Sequence, residues 1–311
     1  MRRETRLGRI EPRLFEQDKP DIDGIVVYFA KTPFDIVCPH FWELRWAFGC
    51  PFDCAYCYLQ GTGHGNKIPR YRPILAVAKA IDRAFRDDYF LKHASIFNSG
   101  ELSDSLMNPI NMKQIADLFE TQDRHKLLLL TKSANVGWLS QKTRKQTIAS
   151  FSLNATEVSQ RWENKTPLPQ QRLEAAKELI EAGYEVRIRI DPIFPVENWQ
   201  AHYENLVYSI FSTLPSEPSR ITLGTPRGLS KTLIFAKDRS WEITAFTENP
   251  EQSGWGKKAP ANIRKEIYTF FFDKLQALGF DKKRIAICKE TRSMWSELGM
   301  DANDCKCNCI W

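Results

Sequence analysis

Three cysteines carry the clearest chemistry in this chain. Cys50, Cys54 and Cys57 stand at Cys-x3-Cys-x2-Cys spacing inside the run Phe48-Gly49-Cys50-Pro51-Phe52-Asp53-Cys54-Ala55-Tyr56-Cys57-Tyr58-Leu59-Gln60. Thiolates are the soft donors that iron–sulfur clusters require. A four-iron cluster usually takes four of them. Three on one short loop leave one iron with an open coordination position, where a substrate or cofactor can bind directly. A structural zinc ion is the alternative, because zinc also takes clustered cysteines at such spacings and prefers four ligands; Cys38 is then the candidate fourth. Against zinc stand the lack of a second Cys-x2-Cys pair nearby and the aromatic side chains of Phe48, Phe52, Tyr56 and Tyr58 around the loop.

The elements that must position this loop are legible as an alternation. Short apolar runs at 41–48, 95–98, 126–131, 148–153, 186–190 and 220–223 are separated by amphipathic stretches such as 74–85, 111–120 and 171–182, the last stopping at Gly183. A further helix at 263–278 leads to a strand at 284–288. Repeated strand–helix units imply a parallel sheet, and six or seven of them curve into an open barrel, so the fold class is α/β with a partial (β/α)6 TIM-like barrel. Residues 1–40 contain Pro12, Pro20, Pro33 and Pro39 and read as an extended arm with one strand near Ile25 to Phe29. The expected division is an arm at 1–40, a core barrel at 41–227 and a carboxyl-terminal extension at 228–311.

In a parallel α/β barrel the chemistry gathers at the carboxyl ends of the strands. Those ends carry the cysteine loop, then Ser99-Gly100-Glu101, Thr131-Lys132-Ser133, Ser152 with Asn154, Arg189 with Asp191, and Gly224-Thr225. One polar residue leaving a strand is ordinary. Their joint fit to one ligand-binding mouth is the useful observation.

Composition bounds the rest. The chain has 311 residues, 42% of them hydrophobic, enough for one large domain with a full core. No run of about 18 apolar residues is present, and the start Met1-Arg2-Arg3-Glu4-Thr5 lacks a signal-peptide core. The expectation is a cytoplasmic protein with no membrane partner. Eight cysteines, six of them in two tight groups, read better as metal ligands or redox groups than as a disulfide framework. The net charge of +6 is mild and spread along the chain. The segment Gly254-Trp255-Gly256-Lys257-Lys258, with Arg264 and Lys265, mixes aromatic and basic groups as backbone-binding surfaces do. An ordinary solvated loop is the plainer reading. His64 lies in the glycine-rich loop 61–67 but reads as a loop histidine, and His40, His93, His125 and His202 carry no sharper signal.

Beyond the cysteines, the chain resembles the radical SAM superfamily and, within it, the spore photoproduct lyase-like family. The resemblance runs from about Trp42 to Arg227. Its marks are Tyr56-Cys57-Tyr58-Leu59-Gln60, Thr131-Lys132, Phe151-Ser152-Leu153-Asn154, Arg172-Leu173-Glu174-Ala175-Ala176, Ala182-Gly183-Tyr184 and Pro192-Ile193. It implies a radical SAM barrel in which Cys50, Cys54 and Cys57 ligate a [4Fe-4S] cluster and S-adenosylmethionine (SAM) chelates the open iron. Tyr58 would lie against SAM, Ser99 or Glu101 would meet its amino group, Lys132 its carboxylate, and Ser152 and Asn154 its ribose; Arg189 joins the set. An external electron donor such as flavodoxin or ferredoxin is implied. So is a reaction in which reductive SAM cleavage gives a 5′-deoxyadenosyl radical that abstracts a hydrogen atom from the substrate.

The chain departs from the family at one point. Spore photoproduct lyases place a hydrogen-donating cysteine just after the second strand, where this chain reads Phe97-Asn98-Ser99-Gly100-Glu101-Leu102-Ser103-Asp104. A carboxylate cannot donate a hydrogen atom usefully, so the lyase mechanism does not transfer intact. Cys305, Cys307 and Cys309 near the carboxyl terminus offer three readings: ligands of a second cluster or zinc site, which Cys288 could join; a thiol donor or redox pair, Cys307 and Cys309 foremost, folded over the barrel mouth on a flexible tail; or an uninvolved tail. Cys38 and Cys288 otherwise read as small buried core residues. The substrate is open among a small molecule, a peptide and a nucleic acid. Lesion repair with a different hydrogen donor is one alternative, and a non-catalytic, zinc-stabilised nucleic-acid-binding protein is another.

Overall fold

A computed structural model describes residues 19–246 and 249–311. Residues 1–18 of the expected arm lie outside the described residues.

Eight strands form the main sheet: β1 (Val26–Phe29), β2 (Phe41–Leu44), β3 (Ile96–Asn98), β4 (Lys126–Thr131), β5 (Thr147–Leu153), β6 (Glu185–Ile190), β7 (Ile221–Leu223) and β8 (Ile285–Ile287). They lie side by side in chain order. The β1–β2 pair is antiparallel, and every pair from β2 to β8 is parallel. Edge strands β1 and β8 do not pair with each other, so the barrel is open between them. Five principal helices cover the outer face: α1 (Ile74–Arg86), α2 (Pro109–Phe119), α3 (Pro169–Glu181), α4 (Trp199–Thr213) and α5 (Ala261–Ala277).

Local sequence explains these elements. β5 is buried at every position because helices cover one face and the barrel interior the other, as parallel strands require. α1 turns Val77, Ala80, Ile81 and Ala84 inward, the spacing of one helical stripe. α2 starts where the Asn108 side chain accepts a hydrogen bond from the Asn111 amide and Pro109 takes the first turn. Gly183 follows α3 with φ +86°, a left-handed turn that favours glycine, and leads into β6.

Expected and observed segments agree within one or two residues, with one split. The run 41–48 is two pieces, β2 and a two-residue strand at Ala47–Phe48 that pairs with Arg70–Tyr71 beside the cysteine loop. The strand expected near 284–288 is β8, and it joins the same sheet as β7. Among the described residues no helix is long and apolar enough to cross a membrane.

Candidate active site

The cysteine loop leaves the barrel immediately after β2. Its entry depends on Gly49, which has φ +88° and whose absent Cβ would come within 2.6 Å of the Ile68 carbonyl oxygen. The Gly49 amide donates to the Leu102 carbonyl at 2.9 Å, tying this loop to the one after β3. Cys50, Cys54 and Cys57 all line one cavity at the carboxyl ends of the strands. Burial pushes the Cys50 thiol up to about 12, helped by Asp104, and raises Cys54 as well, with Glu163 adding to the effect. Thiols so placed stay protonated until a metal takes the proton's place.

The cavity has a volume of about 320 Å³, within the roughly 300–1,000 Å³ of a small-molecule pocket. Tyr58, Glu101, Lys132, Ser152 and Arg189 line it, as the sequence reading expects of ligand-binding residues. The Tyr58 hydroxyl donates to the Glu101 carbonyl oxygen. Glu101 itself accepts from Lys289 Nζ at 3.2 Å. Burial works to raise its pKa, but Lys289 and Arg189 outweigh that and hold the carboxyl below its usual value. Glu101 and Lys289 thus form a largely buried ion pair on the cavity wall.

Two expected residues are elsewhere. Ser99 is buried outside the cavity, with its hydroxyl 2.8 Å from Ser105 Oγ and donating to the Leu128 carbonyl at 2.9 Å. Asn154 is also buried behind the wall. Its amide nitrogen donates to the Pro192 carbonyl at 2.9 Å and its oxygen accepts from Tyr203 at 2.8 Å, which fixes the turn after β6. Both spend their polar groups on neighbouring backbone and side chains, as buried polar residues must.

Sequence reasoning missed several residues in and behind the wall. Glu163, at the end of a short helix after β5, stands behind the wall, fully buried between Arg172, Tyr56 and Lys132, with Lys132 Nζ at 3.9 Å. Asp104 accepts from Thr131 Oγ1 and from the Lys132 amide, both at 2.7 Å, and so sets the end of β4 from which Lys132 projects. Asp191, which the sequence already places at the end of β6, accepts from Arg227 at 2.7 and 2.9 Å. Trp241 and Trp255 form an aromatic side of the cavity. The Trp241 indole nitrogen is buried without a hydrogen-bond partner among the described residues. Only the pairing in space distinguishes these charged and aromatic residues from ordinary surface ones.

Two basic residues of the aromatic–basic segment are not available to a surface. Lys258 and Arg264 are buried: Lys258 donates to the Lys289 carbonyl at 2.9 Å, and Arg264 pairs with Glu290 and Glu251. Their charges are spent inside the protein. The tail is not flexible over the mouth either. Cys305, Cys307 and Cys309 are buried and lie in a separate pocket. His64 stacks on Phe235 with ring centroids 5.1 Å apart, outside the cavity lining.

An open parallel barrel with three thiols facing a cavity at its strand ends is the architecture of radical SAM enzymes. The spore photoproduct lyase family profile matches residues 24–224. Spore photoproduct lyase of Bacillus subtilis (strain 168) is 31% identical over 185 residues, which are 57% of this chain and 52% of that protein. The Clostridium acetobutylicum spore photoproduct lyase is 26% identical over 257 residues, 76% of this chain and 73% of that one. The chain therefore spans about half the length of the first relative and about three quarters of the second. Among solved structures, a spore photoproduct lyase complexed with dinucleoside spore photoproduct matches with TM-score 0.65 at 21% identity, over 79% of this chain and 75% of that one. A mutant spore photoproduct lyase with bound AdoMet and the same dinucleoside gives TM-score 0.65 at 20% identity, over 81% and 77%. This chain belongs to the spore photoproduct lyase family. Members of the family are radical SAM enzymes that use a [4Fe-4S] cluster and SAM.

Proposed function

We propose that this chain is a radical SAM enzyme that abstracts a hydrogen atom from a substrate docked at the mouth of the barrel. The observation that carries the reading is the convergence of Cys50, Cys54 and Cys57 with Glu101, Lys132 and Arg189 on one cavity. The donor set fits the implied groups: three soft thiols for a four-iron cluster, and beside them an anionic and two cationic side chains for the amino-acid end of SAM. When bound, the cluster and SAM supply a 5′-deoxyadenosyl radical on reduction by an external electron donor. The protein contributes the rest. Glu101, held ionised by Lys289, accepts from an ammonium group; Lys132, steadied by Glu163, pairs with a carboxylate; Ser152 offers a hydroxyl to a ribose. Phe29, Phe52, Tyr56 and Trp241 form a dry lining that keeps water from a reactive radical.

Repair of a spore-photoproduct-type DNA lesion is the substrate reading that family membership favours. It requires a hydrogen donor other than the family's cysteine, because Glu101 follows β3 here and, among the described residues, the triplet supplies the only cysteines lining the cavity.

Anaerobic reconstitution followed by reductant and SAM tests the reading. The expected product is 5′-deoxyadenosine, formed faster when dinucleoside spore photoproduct is added and absent in Cys57→Ala. A reconstituted, reduced protein that leaves SAM intact would refute the enzyme; SAM cleavage unaffected by the dinucleoside would refute the lesion.

A further inference from the structure

The eight cysteines of this chain fall into two groups in space, not three. Besides the triplet, all five others line one small pocket: Cys38, Cys288, Cys305, Cys307 and Cys309. They come from three separate segments. Cys38 precedes β2, Cys288 follows β8, and the rest belong to the carboxyl-terminal tail. Cys38 and Cys288 are therefore not isolated core fillers, as their places in the sequence suggest.

The tail is built to deliver its cysteines here. Asn308 is fully buried, with its side chain donating to Ser150 Oγ and to the Ile188 carbonyl, each at 2.9 Å, and accepting from Thr222 at 2.8 Å. Arg187 and Arg220 donate to the carbonyl oxygens of residues 307, 308 and 310. The segment is thereby pinned inside the barrel, with Cys307 and Cys309 on either side of the anchoring asparagine.

The surroundings suit bound sulfur ligands rather than spare thiols. Arg189 donates to Cys309 Sγ at 3.2 Å and to Cys288 Sγ at 3.9 Å, and Asn98 Nδ2 lies 3.8 Å from Cys309 Sγ. Arg189 is buried and its Nε has no partner among the described residues, so one N–H still points into the site unspent. N–H···S hydrogen bonds and nearby cations are the means by which proteins stabilise the negative charge of a thiolate-bound cluster. Lys289 adds a second cation to the lining. The spacing Cys-x-Cys-x-Cys lacks the paired Cys-x2–4-Cys of zinc knuckles.

We propose that Cys38, Cys288, Cys305, Cys307 and Cys309 form the site of a second [4Fe-4S] cluster, ligated by four of these five thiolates. Glu101, Arg189 and Lys289 line both this pocket and the main cavity, so the two centres share a wall. The inference does not depend on the reading of the triplet.

Anaerobic reconstitution of the full chain with ferrous iron and sulfide, followed by iron and sulfide analysis, tests it. About eight irons and eight sulfides per chain are expected, since each cubane carries four of each. Cys50→Ala/Cys54→Ala/Cys57→Ala should stay brown and keep about four of each, which no reading confined to the triplet allows. Cys38→Ala/Cys288→Ala/Cys307→Ala/Cys309→Ala should also keep about four; if it fails to fold, the triplet variant alone decides. A triplet variant without iron, or one holding zinc without sulfide, overturns the proposal. Four irons in the full chain that all persist in the triplet variant would uphold this site and overturn the triplet reading instead.

Discussion

Glu101 illustrates how one side chain serves two ends at once. It follows β3 at the barrel mouth, and its carboxylate is compensated by Lys289, 188 residues further along the chain. Both side chains are only slightly exposed, 12% and 14%, so neither charge is well solvated alone. Glu101→Gln should therefore cost about 2–3 kcal/mol of stability, the usual worth of a charge-assisted hydrogen bond whose partner is left stranded. A purely structural role and a ligand-binding role make different predictions for the double variant. Glu101→Gln/Lys289→Met removes both charges and should recover most of the lost stability in denaturant titration, while SAM binding measured by calorimetry on the reconstituted protein stays weakened roughly tenfold or more. Full recovery of SAM affinity in the double variant would remove Glu101 from the binding site.

At the level of elements, the tail after β8 behaves as a buried plug. Trp311 Nε1 donates to the Ala94 carbonyl, just before β3, so the tail reaches the amino-terminal ends of the strands, opposite the active-site mouth. Asn308 is the polar key of this contact. Asn308→Ala strands a serine hydroxyl, a threonine hydroxyl and a backbone carbonyl in the barrel interior, at about 1–3 kcal/mol for each group left unsatisfied. Some relaxation is available at a chain end, and the expected loss is about 2–4 kcal/mol, read as a lower urea midpoint together with earlier proteolytic release of the tail. A variant with an unchanged midpoint would show that the plug adds nothing to the fold.

The same scale shows what a sequence can display. The strands and helices were legible because each is periodic within itself: Val77, Ala80, Ile81 and Ala84 repeat on one face of α1, and β4 and β5 are continuous apolar runs. The cysteine triplet was legible because its spacing is local. The tail was not, because nothing in Asp304-Cys305-Lys306-Cys307-Asn308-Cys309 says that its partners are Cys38 and Thr222. Ser99 and Asn154 fit a binding motif by type and place, yet their hydroxyl and amide groups are used up by Ser105, Leu128, Pro192 and Tyr203, contacts that only the folded backbone supplies.

Over the whole molecule, the cavity has two origins. The family profile ends at residue 224 and includes the cysteine loop, Glu101, Lys132, Ser152 and Arg189. Arg227, Trp241, Trp255 and Lys289 come from beyond that limit and complete the wall. The part of the barrel that the family profile covers thus carries the residues proposed for cofactor binding, and the remaining chain lines the rest of the cavity, a division expected where one fold serves many substrates. Trp255 is the clearest test of it. Its ring is half-buried, 4.8 Å from Lys289 Nζ and 6.0 Å from the Phe29 ring, which offers a flat face beside a cation. Stacking on such a face contributes about 1–3 kcal/mol per base in single-stranded nucleic-acid binding. Trp255→Ala should leave 5′-deoxyadenosine formation without substrate unchanged within about twofold, and raise the KM for dinucleoside spore photoproduct by roughly tenfold, equivalent to about 1.4 kcal/mol. An equal fall in both rates would place Trp255 on the cofactor side of the cavity, and an unchanged KM would mean that the substrate meets a different wall.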